Sequence, residues 1–208
     1  MDRSAIILAG GFSIRFGQDK GVLDLGNKAL IKHVVDAVKP VVDEIIVVTS
    51  SQDRVMKYTK VVGADAQFVI DSFESEGPLV GALTGFGSAG GKYVLLLPFD
   101  SPFVSRDVVS LLFDLCLTKA AVIPRWPNGQ IEPLHAVYLT NVALEAAKIA
   151  VDEGKLDVLS MIEKLRGVRY VSTLVIQQLD PEFRTFFNVN TPLDLKKAMA
   201  MLKHGKGK

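Results

Sequence analysis

Cysteine occurs once in this 208-residue chain, tryptophan once and histidine three times. A single cysteine excludes an intramolecular disulfide framework and a cysteine-based zinc site. Cys116 lies in the apolar helical run from Val108 to Cys116, so it is expected as a buried core thiol and not a nucleophile. There is no His-Glu-x-x-His run, histidine cluster or Ser-His-Asp order, which leaves no basis for a zinc site or a catalytic triad. An excess of one charge is also missing. Lys plus Arg (24) nearly equals Asp plus Glu (23), so no global field favours nucleic acid or an anionic membrane as partner, and any positive patch must be local. No uninterrupted apolar run reaches membrane-spanning length, and no basic region precedes a long apolar stretch at the N-terminus. The expectation is a cytoplasmic protein with no nucleic-acid or membrane partner, its oligomeric state open.

What the chain has is core. Hydrophobic residues make up 49% and the mean hydropathy is +0.28, as in an ordinary folded protein. Apolar runs predict strands at Ser4–Leu8, Glu44–Thr49, Gln67–Ile70, Tyr93–Pro98 and Ala120–Pro124. Amphipathic stretches between them predict helices at Ala29–Pro40, Gln52–Thr59, Leu79–Ser88 and Ser105–Leu117. This alternation reads as β-α units on a mostly parallel sheet. The runs Ile45–Val48 and Val94–Leu97 are apolar on both faces, as strands covered by helices on both sides require.

After Pro124 the rhythm changes. A turn cluster, Trp126–Gln130, precedes a strand at Leu134–Leu139 that returns in a different direction. Helices at Asn141–Glu153 and Leu156–Leu165, separated by Gly154, lead to a strand at Val168–Ser172 and an extended piece at Phe186–Val189. Thr191 then starts a closing helix, Pro192–Lys203, with proline at its first position. Met199 and Met201 are expected to fill core. No repeat or linker divides the chain. The expectation is one domain over 1–208, with a ligand-binding half at 1–124, an elaboration at 125–203 and a tail at 204–208.

Four segments carry polar groups to places where ligands bind. The first is Leu8-Ala-Gly-Gly-Phe-Ser-Ile-Arg-Phe-Gly-Gln-Asp-Lys20, directly after a short apolar run. It lacks the Gly-Lys-Ser/Thr of a phosphate-binding P-loop and the Gly-x-Gly-x-x-Gly spacing of a dinucleotide fold, against both a P-loop kinase and a nicotinamide dehydrogenase. What remains is a strand end, close-approach glycines, Arg15 as a planar fork and Lys20 as a point charge. That is equipment for a polyphosphate at the sheet's carboxyl edge. A glycine turn with solvated charges fits the same letters. In the second segment, Leu95–Pro102, Asp100 ends a long apolar strand, where a carboxylate suits Mg²⁺ or simply turns the chain. The third, Asp71–Gly81, places Asp71 ahead of a Gly-Pro helix start; it either closes over a base or ribose or is a surface loop. The fourth, Phe187-Asn-Val-Asn-Thr-Pro192, projects Asn188 and Asn190 the same way ahead of a helix N-terminus, although Asn190 also fits as a cap. His33 reads as a surface or packing residue. His135 either lines the cleft or sits on a strand face.

In this order, the Leu8–Lys20 loop, Glu76-Gly-Pro-Leu-Val-Gly81, Pro98-Phe-Asp-Ser-Pro102 and Phe187-Asn-Val-Asn-Thr-Pro-Leu-Asp194 resemble the molybdenum cofactor guanylyltransferases. That family belongs to the larger nucleotidyltransferase group that includes the sugar-phosphate enzymes. The resemblance runs from Ile6 to about Leu195. It implies a three-layer, Rossmann-like α/β fold with a mostly parallel central sheet. Leu8, Ala9 and Gly10 match the backbone that contacts guanine and ribose; Gly11, Arg15 and Lys20 match the phosphate-binding part. Asp71 matches a GTP-contacting aspartate, and Asp100 the one that binds nucleotide and Mg²⁺. Asn188 and Asn190 match asparagines near the acceptor and metal, with His135 and Arg125 as further candidates there. Thr49 or Ser50 stands where the family commonly has asparagine, Phe99 where cysteine is frequent and Phe16 where methionine is frequent.

The activity implied is transfer of GMP from Mg-GTP to the terminal phosphate of molybdopterin or its molybdenum-loaded form, releasing pyrophosphate. Arg15, Lys20 and Asp100 would be the catalytic set. A cytidylyl transfer to molybdopterin, nucleotidyl transfer to a sugar or alcohol phosphate, a nucleotide-binding module without catalysis, and a purely structural protein are the alternatives.

Overall fold

The computed structural model describes residues 1–10, 19–71 and 77–205. The strands follow from the apolar runs: β1 Arg3–Leu8, β2 Glu44–Thr49, β3 Gln67–Ile70, β4 Tyr93–Pro98, β5 Ala121–Arg125, β6 Ala136–Leu139 and β7 Val168–Ser172. They form a single sheet in the order β3-β2-β1-β4-β6-β5-β7. β6 runs antiparallel to both β4 and β5, and the remaining pairings are parallel. The change of direction expected after Pro124 is this antiparallel strand, which begins two residues later than its apolar run.

Alternation along each central strand sorts side chains between two cores. Ala5 and Ile7 of β1, Ile45 and Val47 of β2, and Leu95 and Leu97 of β4 face one core. That core is closed by helices α1 (Leu30–Val38), α2 (Gln52–Val62) and α4 (Arg106–Leu115). Ile6, Ile46, Val48, Val94 and Leu96 face the other, beneath α3 (Pro78–Ser88), α5 (Thr140–Asp152) and α6 (Val158–Lys164). Each fully buried Leu, Ile or Val in these layers contributes roughly 1.5–3 kcal/mol relative to exposure. The three-layer α/β architecture is therefore the one expected. Within it, α3 lies so close to β1 that a Cβ on Gly85 would sit 2.6 Å from Ile6 Cγ2.

Local chemistry sets the helix ends. Ser51 caps α2 and Ser105 caps α4 by accepting from Arg54 N and Val108 N. Gly154, at φ 76°, ends the α5 turn as its position predicted. A one-turn α7 (Thr173–Ile176), capped by Ser172 and anchored by buried Ile176, was not legible as a separate helix. The extended piece expected at Phe186–Val189 begins instead as a 3-10 turn, Arg184–Phe186. The last helix, α8 (Pro192–Gly205), runs into the segment read as a tail. Its Thr191 and Asp194 bond reciprocally: Asp194 N donates to Thr191 Oγ1, and Thr191 Oγ1 and N donate to Asp194 Oδ2. Met199 on α8 is 38% exposed, contrary to its expected core role, because the buried face of that helix is carried by Ala198 against Leu25, Leu30 and Val189. Among the described residues no helix is long and apolar enough to cross a membrane.

Candidate active site

β1 lies between β2 and β4, with Leu8 opposite Val48 on one side and Pro98 on the other. The chain leaves β1 toward β2 but reaches β4 on the opposite side. The carboxyl ends of β1 and β4 therefore flank a topological switch point, where open α/β sheets form their binding crevice. The glycine-rich loop leaves from one of these strands and the Asp100 segment from the other. Phe99 N donates to Leu8 O at 3.1 Å, tying the two exits together.

Lys20 and Asp100 meet at this crevice. Lys20 Nζ donates to Asp100 Oδ2 at 2.5 Å and to Asn190 Oδ1 at 2.9 Å. The Phe99 ring centroid lies 5.4 Å from the same ammonium, so the residue at the family's cysteine position packs directly on Lys20. Three segments that the sequence left separate thus converge on one nitrogen. The two asparagines each meet a side chain of another segment. Val189 between them is buried and its N–H donates to Asp100 O at 2.9 Å, while Asn190 reaches Lys20 and Asn188 Oδ1 accepts from Ser101 Oγ at 2.6 Å.

Asp100 also fits a divalent cation. Its Oδ1 is buried and has no hydrogen-bond partner among the described residues, whereas Oδ2 is held by Lys20. No group of three or more His, Cys, Asp and Glu side chains gathers among the described residues. The donor set is that of a hard cation bound through one carboxylate and completed by substrate oxygens and water, not of a protein-enclosed metal.

On the other side of β1, Asp71 follows β3. Its N–H donates to Thr49 O at 2.8 Å, and its Oδ1 accepts from Thr84 Oγ1 at 3.1 Å. A Cβ built on Gly81 would lie 3.4 Å from Leu8 Cδ2 and 3.8 Å from Asp71 Oδ2, so α3 brings Gly81, Leu8 and Asp71 to one place. Ala9 N donates to Val48 O at 2.8 Å. Thr49 Oγ1 is buried without a hydrogen-bond partner among the described residues, and Ser50 Oγ accepts from Arg54. Gly11 and Arg15 lie outside the described residues, as does Phe16.

Several residues escaped the sequence reading. Arg54, on the first turn of α2, donates through Nη1 to Ala9 O (3.2 Å) and Gly10 O (2.8 Å), and its Nε lies 3.3 Å from Asp19 Oδ2. It therefore grips both ends of the glycine-rich loop. Asp19 is further held by Tyr58 Oη at 2.8 Å and by Gly21 N at 2.9 Å. Burial and the neighbouring carboxylate push the Tyr58 phenol well above its ordinary range, so it remains a donor. An arginine in an amphipathic helix carries no one-dimensional sign of such a role.

His135, for which the sequence allows either a cleft or a strand-face position, is buried behind Ser101. It is 2% exposed, just ahead of β6, with Nε2 2.9 Å from Ser101 Oγ. Burial lowers its imidazole to about 4, so the ring is neutral near pH 7. Phe186 packs edge-on against it at 5.4 Å, and Trp126 packs against Phe183 and Phe186 at 5.0 and 5.5 Å. Trp126 Nε1 donates to Glu132 Oε1 at 2.6 Å. Arg125 points elsewhere, with its guanidinium 5.1 Å from the Tyr170 ring. His33 bonds Leu25 O through Nε2 at 2.7 Å, a packing role.

Residues 5–168 match the family described as MobA-like NTP transferase domain. A probable molybdenum cofactor guanylyltransferase from Methanosarcina mazei is 35% identical over 211 residues, covering 99% of this chain and 92% of that protein. The molybdenum cofactor guanylyltransferase of Desulfosudis oleivorans is 32% identical, covering 98% and 97%. Among solved structures, the molybdopterin-guanine dinucleotide biosynthesis protein A of Archaeoglobus fulgidus superposes with a TM-score of 0.81 at 27% identity, covering 97% of this chain and 99% of that one. Nucleotidyltransferases of this kind generally use a divalent metal, the ion that Asp100 is suited to hold. With its family match spanning most of the sheet and its basic and acidic side chains joined at the β1/β4 crevice, the chain belongs to the MobA-like NTP transferase family and is a nucleotidyltransferase.

Proposed function

We propose that this chain transfers GMP from Mg-GTP to the terminal phosphate of molybdopterin or its molybdenum-loaded form, giving molybdopterin guanine dinucleotide and pyrophosphate. The observation that carries the reading is the contact of Lys20 with both Asp100 and Asn190, which brings the glycine-rich loop, the β4 exit and the acceptor-side segment together. The names of full-length relatives support the choice of guanine and of the molybdenum cofactor.

In this reading the 1–124 half holds the triphosphate and the 125–203 half faces the acceptor, within one domain acting in the cytoplasm. Leu8, Ala9, Gly10 and Asp71 flank the base and ribose. Gly11, Arg15 and Lys20 flank the phosphates, and Asn188 and Asn190 the acceptor. Asp100 would hold Mg²⁺ through Oδ1; when bound, the ion neutralises charge on the triphosphate and helps pyrophosphate to leave.

The proposed chemistry needs no general base. A phosphate monoester has a second pKa of about 6 and is already largely dianionic at neutral pH, so no proton need be removed before it attacks the α-phosphorus. The remaining work is positioning and charge neutralisation, for which Lys20 is already oriented by two acceptors. Incubation with Mg²⁺, each nucleoside triphosphate in turn, and either molybdopterin or a sugar or alcohol phosphate, with pyrophosphate release and nucleotide binding both measured, tests the reading. Release with GTP is expected. Release with CTP instead overturns the base assignment, release only with a sugar or alcohol phosphate overturns the acceptor, and GTP binding without release overturns catalysis.

A further inference from the structure

We infer that His135, acting through the Ser101 hydroxyl, is a positioning residue that sets which end of the Asn188 amide is offered to the acceptor; the acceptor part rests on the function proposed above. Ser101 is fully buried, His135 nearly so, and the Ser101 Oγ lies 2.9 Å from His135 Nε2 and 2.6 Å from Asn188 Oδ1. A hydroxyl has one proton, so between two such partners it donates to one and accepts from the other. The direction follows from the far side of the ring. His135 Nδ1 is buried without a hydrogen-bond partner among the described residues, and Glu132 Oε2, at 3.9 Å, is beyond hydrogen-bond range. An orphaned buried N–H is rarer than an under-satisfied acceptor, so the ring proton belongs on Nε2.

Nε2–H then donates to Ser101 Oγ, and Oγ–H donates to Asn188 Oδ1. The amide is held with its carbonyl toward Ser101 and its NH₂ turned away from it, where two N–H groups suit an anionic or carbonyl-bearing acceptor. Reversal of the relay would present the opposite polarity. Phe186, packed on the imidazole, and Val189, bonded to Asp100 O, keep the two ends of the relay in register. Ser101 follows Asp100 in the chain, so the relay also couples the acceptor-side asparagine to the carboxylate segment.

The test uses variants that differ in where they place a donor. Glutamine carries its amide nitrogen near the Nε2 position, whereas asparagine falls short of it. In protein labelled with ¹⁵N-asparagine, the Asn188 side-chain NH₂ signals are assigned by their loss in Asn188→Ser. They are expected to shift and broaden in Ser101→Ala and His135→Asn, and to return toward wild type in His135→Gln. In pyrophosphate-release assays, Ser101→Ala and His135→Asn should raise the acceptor KM roughly tenfold with the GTP KM within about twofold, as loss of one oriented hydrogen bond predicts. The Ser101→Ala/His135→Asn double variant should be no worse than Ser101→Ala alone. Unmoved Asn188 signals in His135→Asn, or equal behaviour of the glutamine and asparagine variants, overturn the inference. A wild-type protein that releases no pyrophosphate sinks the proposed function instead, and the NH₂ signals then decide the relay on their own.

Discussion

Lys20 Nζ stands 2.5 Å from Asp100 Oδ2, although 80 positions separate the two residues, and their side chains are only 9% and 12% exposed. An ion pair this enclosed is sensitive to loss of one member alone, because the survivor keeps the cost of leaving water without its partner.

Asp100→Asn, close in shape, should lower turnover by on the order of a hundredfold or more, the usual cost of removing a preorganised electrostatic element. It should also lower the melting temperature, because it leaves the buried Lys20 ammonium without its carboxylate. Lys20→Ala should lose transfer to a similar degree and should also lower the melting temperature, since breaking a buried pair costs about 3–5 kcal/mol. The Lys20→Met/Asp100→Asn protein should recover much of that melting temperature without recovering turnover. Pyrophosphate release and thermal unfolding measured side by side check all three. Near-normal turnover in any of them discredits the assignment of this pair.

Arg54→Ala should raise the KM for nucleotide about tenfold or more, as removal of charged hydrogen bonds worth about 1.5–3 kcal/mol predicts. The reason is mechanical: Arg54 binds the carbonyls of Ala9 and Gly10 and the carboxylate of Asp19, so its loss removes the side chain that ties the two ends of the loop to each other. Arg54→Lys should rescue poorly, because an ammonium lacks the planar fork. Steady-state kinetics with varied nucleotide give the answer, and an unchanged KM would remove Arg54 from the binding machinery.

Cys116 is fully buried, and burial pushes its thiol up to about 12. As the only cysteine, it should resist a thiol-specific reagent in the native protein and react stoichiometrically once the chain is unfolded. Rapid labelling under native conditions would place it outside the core formed with Phe113 and Val137.

His135 predicts a pH dependence of stability. Its folded value is about 4, against 6.5 ordinarily. The unfolded chain therefore takes up a proton near pH 6.5 that the native chain refuses until about pH 4. The stability linked to this group is present above pH 6.5 and is lost as pH falls toward 4, by on the order of 3 kcal/mol in all. Glu132, raised by desolvation, works in the opposite sense over the upper part of the acid range. The comparison is therefore wild type against His135→Gln. Denaturant midpoints at pH 7 and pH 5 should fall less in the glutamine variant, and equal falls would contradict the buried neutral imidazole.

Much of the architecture was legible along the chain. The β2 and β4 boundaries coincide with their apolar runs, because a strand covered by helices on both faces must be apolar at consecutive positions. Those of the partly exposed edge strands β3 and β7 also coincide with their expected spans. The antiparallel β6 announced itself by the Trp126–Gln130 turn. α7 did not, since one turn is too short to show a helical period, and Met199 was misplaced because an apolar letter does not say which face of α8 it occupies. Of the site, Lys20, Asp71, Asp100, Asn188 and Asn190 stood out by their positions at strand exits and helix starts, and by the resemblance that linked them.

Local sequence, then, determined the elements, their alternation and the polar residues at their ends, because periodicity and capping are properties of neighbours in the chain. Only tertiary structure decided that Lys20, Asp100 and Asn190 share one hydrogen-bonded cluster, that Arg54 holds the loop and that His135 stands behind Ser101. Those partners lie 34 to 170 positions apart. What joins them is the strand order, which sets the carboxyl ends of β1 and β4 side by side and lets the segment before α8 close across both.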